Sequence, residues 1–285
     1  MDLKQVLENV IITSEENIGR DESDYEKDGI LFCGKCDTAK QVKIEIFGMS
    51  RTPFCLCKCA AERLAQEEAE LKQRQRMQEI EKLRRDGFPD RDMRNWTFEN
   101  DDGNNPRIMS IANKYVDNFA QMKEDGKGLL LFGSVGTGKT YAAACIANAL
   151  INKGRPCLVT NFARLVNTLS GMYEGKQDYI DELINFDLVV IDDLGSERDT
   201  PYMYEIIQNI VDSRYRAKLP TIVTTNLTSE ELKHPAEMKQ QRIYSRLFEM
   251  CLPVEVEGKD RRKEKLKNEF AAYDELLGLK SDKIN

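Results

Sequence analysis

The sequence predicts an α/β fold, a parallel sheet flanked by helices, preceded by a small cysteine-bearing module and a connecting helix. Three observations predict it. Gly133-Ser134-Val135-Gly136-Thr137-Gly138-Lys139-Thr140 is a full match to the phosphate-binding P-loop pattern G-x-x-x-x-G-K-[ST]. An apolar run, Leu188-Val189-Val190-Ile191, ends in the paired carboxylates Asp192 and Asp193, as a buried parallel strand with a polar carboxyl end would. Five of the eight cysteines crowd between Cys33 and Cys59, a density that suits a metal site better than a core.

The bulk properties bound the rest. A chain of 285 residues holds one sizeable core and a small accessory module. A net charge of −7 argues against coating nucleic acid through the overall field, while local basic patches stay open. There is no apolar run of membrane-spanning length, so no membrane partner is expected. The N-terminus lacks the basic stretch and apolar run of a signal peptide. Clustered thiols beside a nucleotide motif place the chain in the cytoplasm. The single histidine, His234, excludes catalysis by a histidine dyad or triad.

Taken in order, residues 1–60 form the first expected module. Val6, Leu7, Val10, Ile11 and Ile12 suggest a short amphipathic helix, followed by a polar loop to Asp28. The Cys33-Gly-Lys-Cys36 knuckle, a strand-like stretch at residues 41–47, and Cys55-Leu-Cys57-Lys-Cys59 follow. Four thiolates close a tetrahedral zinc site that stabilises a module too small to own a core. Spacing leaves the second pair open between Cys55 with Cys59 and Cys57 with Cys59. Residues 61–86 are strongly charged and helix-favouring, a solvated connector ended by Gly87-Phe88-Pro89. Residues 87–270 are the nucleotide-binding domain, and 271–285 a tail.

Within that domain, Trp96 and Phe98 are expected to pack at its entrance, before an amphipathic helix over residues 108–122. Residues 128–132 read as the buried strand that feeds the P-loop. Its glycines let backbone N–H groups point at phosphate, assisted by the helix dipole. Lys139 places a cation on the β- and γ-phosphates of ATP, and the Thr140 hydroxyl completes a Mg²⁺ shell. Residues 141–153 form the next helix, stopped by Gly154. A second strand at 156–160 and a helix from Phe162 to Tyr173 lead to the strand ending at Asp192 and Asp193. Asp192 is expected to hold Mg²⁺, largely through water, and Asp193 to orient or deprotonate the attacking water. Many enzymes of this type carry Glu there; Asp is one methylene shorter, and slow hydrolysis is expected. Thr200 caps a helix opening at Pro201 and running to Arg216. The strand 220–225 ends at Asn226, placed to sense the γ-phosphate or fix the lytic water. Arg242 to Phe248 opens the last helical stretch, residues 252–256 an edge strand, and Arg261 lies in a basic helix start.

This ordered set resembles the AAA+ ATPases of the DnaC/DnaI helicase-loader and IstB group, over about residues 87–268. The cysteine module is similar to the zinc-binding N-terminal domain of DnaI-like loaders, including phage and prophage versions. The resemblance implies an AAA+ P-loop NTPase core, with residues 133–140 as Walker A, Asp192 and Asp193 as Walker B, and Asn226 as sensor 1. Arg246, in its Ser-Arg-Leu setting, is similar to an arginine finger acting on a neighbouring copy. Arg261 or Arg262 occupies the sensor 2 position. Cys33, Cys36, Cys57 and Cys59 become the favoured Zn²⁺ ligands, by similarity to a Cys-x-Cys second knuckle. Little sequence remains after Val256 for the helical lid of larger AAA+ proteins.

The expected function is that of an ATP-dependent loader of a replicative DNA helicase, self-associating through its ATPase domain and engaging single-stranded DNA. Its cofactors are ATP, Mg²⁺ and Zn²⁺. The rivals are an IstB-like transposition ATPase and a non-hydrolysing ATP-switched adaptor. A small-molecule kinase is disfavoured, because no acceptor-binding pattern follows the P-loop.

Overall fold

A computed structural model describes residues 20–46, 48–195 and 201–263, together with Leu266 and Tyr273. The N-terminal apolar patch, Thr200 and the tail apart from Tyr273 lie outside the described residues. The chain divides into two compact units, Met1–Gln78 and Glu79–Asn285.

In the first unit two antiparallel hairpins are described. Strands β1 (Tyr25–Lys27) and β2 (Ile30–Phe32) form one, β3 (Ile44–Ile46) and β4 (Met49–Arg51) the other. The polar loop expected to run to Asp28 therefore contains a strand. The strand expected over 41–47 is shorter, because Gln41 makes only an isolated bridge to Phe54. Helix α1 (Lys58–Gly87) starts inside the second cysteine cluster, and the division between the units falls within its sequence.

The second unit is built on a five-stranded parallel sheet. In chain order its strands are β5 (Gly128–Phe132), β6 (Cys157–Asn161), β7 (Leu188–Leu194), β8 (Thr221–Thr225) and β9 (Cys251–Glu255), arranged β6-β7-β8-β5-β9. Successive strand residues point to opposite faces, and here both faces are covered. Leu129, Leu131, Leu188, Val190 and Ile222 bury themselves with α2 (Pro106–Asp117), α3 (Phe119–Glu124) and α4 (Lys139–Asn152). Leu130, Phe132, Val189, Ile191 and Val223 pack on the other side against α5 (Phe162–Gly171), α6 (Lys176–Glu182), α7 (Pro201–Arg216) and α9 (Met238–Met250); α8 (Ser229–Lys233) adds Leu232. This two-sided burial explains why the strands read as continuous apolar runs.

Two helices differ from their sequence reading. The segment expected as one helix over 108–122 is broken at Asn118, whose side-chain amide donates to the Lys114 carbonyl (2.8 Å) and competes with the helical ladder. The helix expected to reach Tyr173 ends at Gly171, and the separate helix α6 was not signalled. Cys157 and Leu188 begin β6 and β7, and β9 is an edge strand as expected.

Arg214 fixes the lower end of this sheet. It is fully buried in α7, where its guanidinium donates to the carbonyls of Leu183 (2.6 Å), Phe186 (3.1 Å) and Pro220 (2.6 Å) and to the Thr221 hydroxyl (3.0 Å). Burial pulls its pKa down to about 10. These bonds tie the entries of β7 and β8 together, which sets their carboxyl ends side by side.

Candidate nucleotide site

In an open parallel sheet, ligands bind beyond the carboxyl ends of the strands where strand order reverses. Here β5 lies between β8 and β9, and the P-loop joins β5 to α4. A cavity of about 440 Å³ opens there, lined among others by Lys139, Thr140, Asp192, Asp193, Asn226 and Arg262. Gly136 and Gly138 take φ of +80° and +96°, and a Cβ on Gly136 would collide with the Asp260 carboxylate. Glycine is required where the loop turns back on itself.

Lys139 is only 6% exposed. Its ammonium donates to the carbonyls of Gly133 (2.9 Å) and Ser134 (2.7 Å) and to the Asn226 side-chain oxygen (2.9 Å). Asn226 in turn donates through its amide nitrogen to the Asp193 carboxylate at 2.9 Å. Cation, amide and acid thus form one chain across the mouths of β5, β8 and β7. Burial lowers the Lys139 pKa, with Asp192 and Asp193 opposing it. Thr140 donates to Asp192 at 2.8 Å, and Thr224 donates to the same carboxylate oxygen. Burial raises the Asp192 pKa against the pull of those two hydroxyls.

The residues around the P-loop fit an anionic ligand with a hard cation. The loop glycines leave room for backbone amides to approach phosphate, and Thr140 and Asp192 offer oxygen ligands of the kind Mg²⁺ takes. Arg261 lines the same cavity. Its backbone N–H donates to the Gly136 carbonyl (3.0 Å), and its guanidinium pairs with Asp101 (3.2 Å) and Asp102. The Arg261 Nε is buried without a hydrogen-bond partner in the protein. Among the described residues, Arg262 has no ion pair within 4 Å, while its amide donates to Asp260. Trp96 also lines the cavity, with its ring 5.6 Å from that of Tyr141, and packs against the core together with Phe98.

Arg246 is elsewhere. It projects from α9, pairs with Asp212 and Glu249 (3.5 Å each), and lies 4.5 Å from the ring centroid of Tyr215. It does not line the cavity around Lys139.

Sequence reasoning gave no role to Asp101, Asp102, Asn105 or Thr224. Asn105 donates to the carbonyls of Thr137 (3.2 Å) and Glu257 (2.8 Å), bracing the P-loop from outside. Its signal was an Asn directly before Pro106 at a helix start. Thr224 carried no comparable signal, being one of three threonines, with Thr221 and Thr225, in the five-residue strand β8.

In the first unit, the thiols of Cys33, Cys36, Cys57 and Cys59 all lie within 4.8 Å of one another. The Sγ atoms of Cys33 and Cys59 are 3.6 Å apart, and those of Cys57 and Cys59 3.5 Å. A tetrahedron of sulfurs on zinc has edges of about 3.8 Å, so this all-sulfur set fits Zn²⁺. Cys55 lies outside the cluster, with its thiol on the Ala39 carbonyl (3.6 Å), and burial raises its pKa. The Thr38 hydroxyl, 3.0 Å from the Cys36 sulfur, draws that thiol's pKa down, while the neighbouring thiols push that of Cys59 up. Asp24, fully enclosed with Lys40 in a 2.6 Å ion pair, accepts from the Gly34 amide and supports the first knuckle.

A phosphate loop after β5, paired acids at the end of β7 and, on the strand β8 between them, a polar amide just past its end define a P-loop ATP-binding protein of AAA+ type. Comparison with known proteins carries this to a family: residues 57–269 match the IstB-like ATP binding proteins, and the chain belongs to that family. Among curated relatives, it is 28% identical over 182 residues to the replicative helicase loader DnaI of Bacillus subtilis, covering 58% of each chain. It is 32% identical over 130 residues to the replicative helicase loader DnaC of Escherichia coli K12, covering 44% of this chain and 51% of that one. The chain thus spans between half and three-fifths of these relatives. A crystal structure of DnaI shares 29% identity, with 61% of this chain and 95% of that one covered and a TM-score of 0.49. No described helix is long and apolar enough to cross a membrane.

Proposed function

We propose that this chain is an ATP-dependent loader of a replicative DNA helicase, acting in the cytoplasm. It binds and slowly hydrolyses ATP within an oligomer that engages single-stranded DNA. The observation that carries the reading is the hydrogen-bonded chain Lys139–Asn226–Asp193 beside the Thr140–Asp192 pair, in a protein whose relatives are named helicase loaders.

In this reading the P-loop amides and Lys139 hold the phosphates, and Thr140 and Asp192 hold Mg²⁺. When bound, the metal would supply charge neutralisation to the phosphates. Asn226 reports the γ-phosphate to Asp193 through the same amide that now bridges Lys139 and Asp193. Asp193 accepts a hydrogen bond from the attacking water and orients it. Arg261 or Arg262 takes the sensor 2 position; Arg261 is the one already paired with Asp101 and Asp102. Arg246, with its side chain 44% exposed, serves an adjacent copy, since its planar fork matches phosphate oxygens. Zn²⁺ on Cys33, Cys36, Cys57 and Cys59 shapes residues 1–60 as a module that docks on the helicase, residues 61–86 connect it, residues 87–270 carry the ATPase, and residues 271–285 form a tail.

The match to the IstB-like ATP binding proteins keeps the rival reading in play, an IstB-like transposition ATPase, which would bind a transposase and duplex DNA. The cysteine module speaks for the loader, because partner recognition away from the nucleotide is the natural use of such a unit. Affinity purification of the full chain with ATP decides between them. A co-purifying replicative helicase, with ATP turnover that responds to single-stranded DNA, supports the loader. Binding to a transposase and to duplex DNA alone refutes it.

A further inference from the structure

Strand β7 does not run evenly beside β8. Val189, Val190 and Ile191 pair with Thr221, Ile222 and Val223, but the next pair is Leu194 with Thr225. Two residues, Asp192 and Asp193, therefore stand opposite the single residue Thr224, which is a β-bulge. Asp193 takes φ +61°, a left-handed conformation that favours glycine and is tolerated by Asp only with local support. That support is visible. The Asp193 amide donates to the Thr224 hydroxyl at 3.0 Å, while the same hydroxyl donates to the Asp192 carboxylate. Thr224 itself is 1% exposed, so its hydroxyl is held in place to make both bonds.

We propose that Thr224 is a positioning residue that holds the bulge in β7 and thereby aims both acids, Asp192 toward Thr140 and Asp193 toward Asn226. The inference rests on the reading of Asp192 and Asp193 given above. Each part follows from one atom. As acceptor, the hydroxyl fixes the backbone of Asp193 in the turned conformation from which its carboxylate meets Asn226 at 2.9 Å. As donor, it shares with Thr140 the orientation of Asp192. A regular strand would send the side chains of Asp192 and Asp193 to opposite faces of the sheet; the bulge brings both to the cavity.

The test compares Thr224→Val, which keeps the shape and loses the hydroxyl, Thr224→Ala, and Thr224→Ser, which keeps the hydroxyl, in the full chain. Amide hydrogen exchange at Asp193 is read on the nucleotide-free protein, and ATP affinity and turnover are read separately. In Thr224→Val, exchange at Asp193 should rise at least about tenfold as its buried acceptor is lost. Turnover should fall about tenfold or more while ATP affinity stays within about threefold, the pattern of a lost transition-state contact. Thr224→Ser should restore both. Unchanged exchange in Thr224→Val and Thr224→Ala overturns the proposal, and so does faster exchange with turnover at the wild-type level. A wild-type chain that binds ATP without turning it over strikes the hydrolysis reading instead. The exchange comparison then still decides: protection kept by Ser and lost with Val supports the held bulge, and equal exchange overturns it.

Discussion

Replacing Lys139 by Ala isolates what the buried ammonium contributes to nucleotide binding. All three of its N–H donors are engaged in the protein, on Gly133, Ser134 and Asn226. Binding phosphate therefore exchanges some of these bonds for others, and the net gain is mainly the charge interaction. A unit cation about 4 Å from a phosphate charge contributes about 4 kcal/mol at an effective dielectric near 20. That corresponds to about a thousandfold in Kd. The folded state should lose much less. Removing the ammonium leaves the Gly133 and Ser134 carbonyls without that donor, but it also removes a cation whose burial is unfavourable, as its lowered pKa shows. A shift of about 1 kcal/mol in either direction moves Tm by roughly 2–4 °C in a chain of this size. Titration calorimetry with ATP and Mg²⁺ reads the affinity, and a thermal melt without nucleotide reads the fold. Equal ATP affinity in the wild type and a folded Lys139→Ala chain would refute the site.

Three further outcomes follow from the same geometry. Burial raises the Asp192 pKa above its unfolded value of about 3.9, so the folded state binds its proton more tightly and stability falls as pH rises through that window. Without nucleotide, Asp192→Asn should therefore melt higher than wild type at neutral pH, with the gain fading toward about pH 4; a gain independent of pH contradicts the burial argument. Metal analysis of the full chain should find about one zinc per chain, kept in Cys55→Ser and lost in Cys57→Ser, and the reverse pattern would reassign the ligand. Arg246→Ala and Lys139→Ala chains, each inactive alone, should regain part of their ATP turnover when mixed, because a finger and a P-loop from different copies complete a site; a mixture that assembles and stays inactive excludes action in trans.

The local chemistry was legible in the sequence wherever a short stretch carries its own signal. The P-loop needs glycines at fixed spacing for its left-handed turns, so Gly136, Gly138 and Lys139 announce it without any tertiary contact. The apolar run before Asp192 marks a strand covered on both faces, and the structure covers both. What required the tertiary structure were choices between residues that look alike along the chain. Spacing alone leaves both Cys55 and Cys57 open beside Cys59, and the fold brings Cys57, the residue the family resemblance favours, into the thiol cluster and turns Cys55 toward Ala39. Arg261 and Arg262 are adjacent cations, distinguished by carboxylates 160 and 159 residues away in sequence. Asp193 reads as the next residue of a regular strand, yet the bulge opposite Thr224 turns its backbone to φ +61°. In each case the deciding interaction joins residues far apart in sequence, so its energy appears only when the sheet brings them together, and no local pattern of residue types records it.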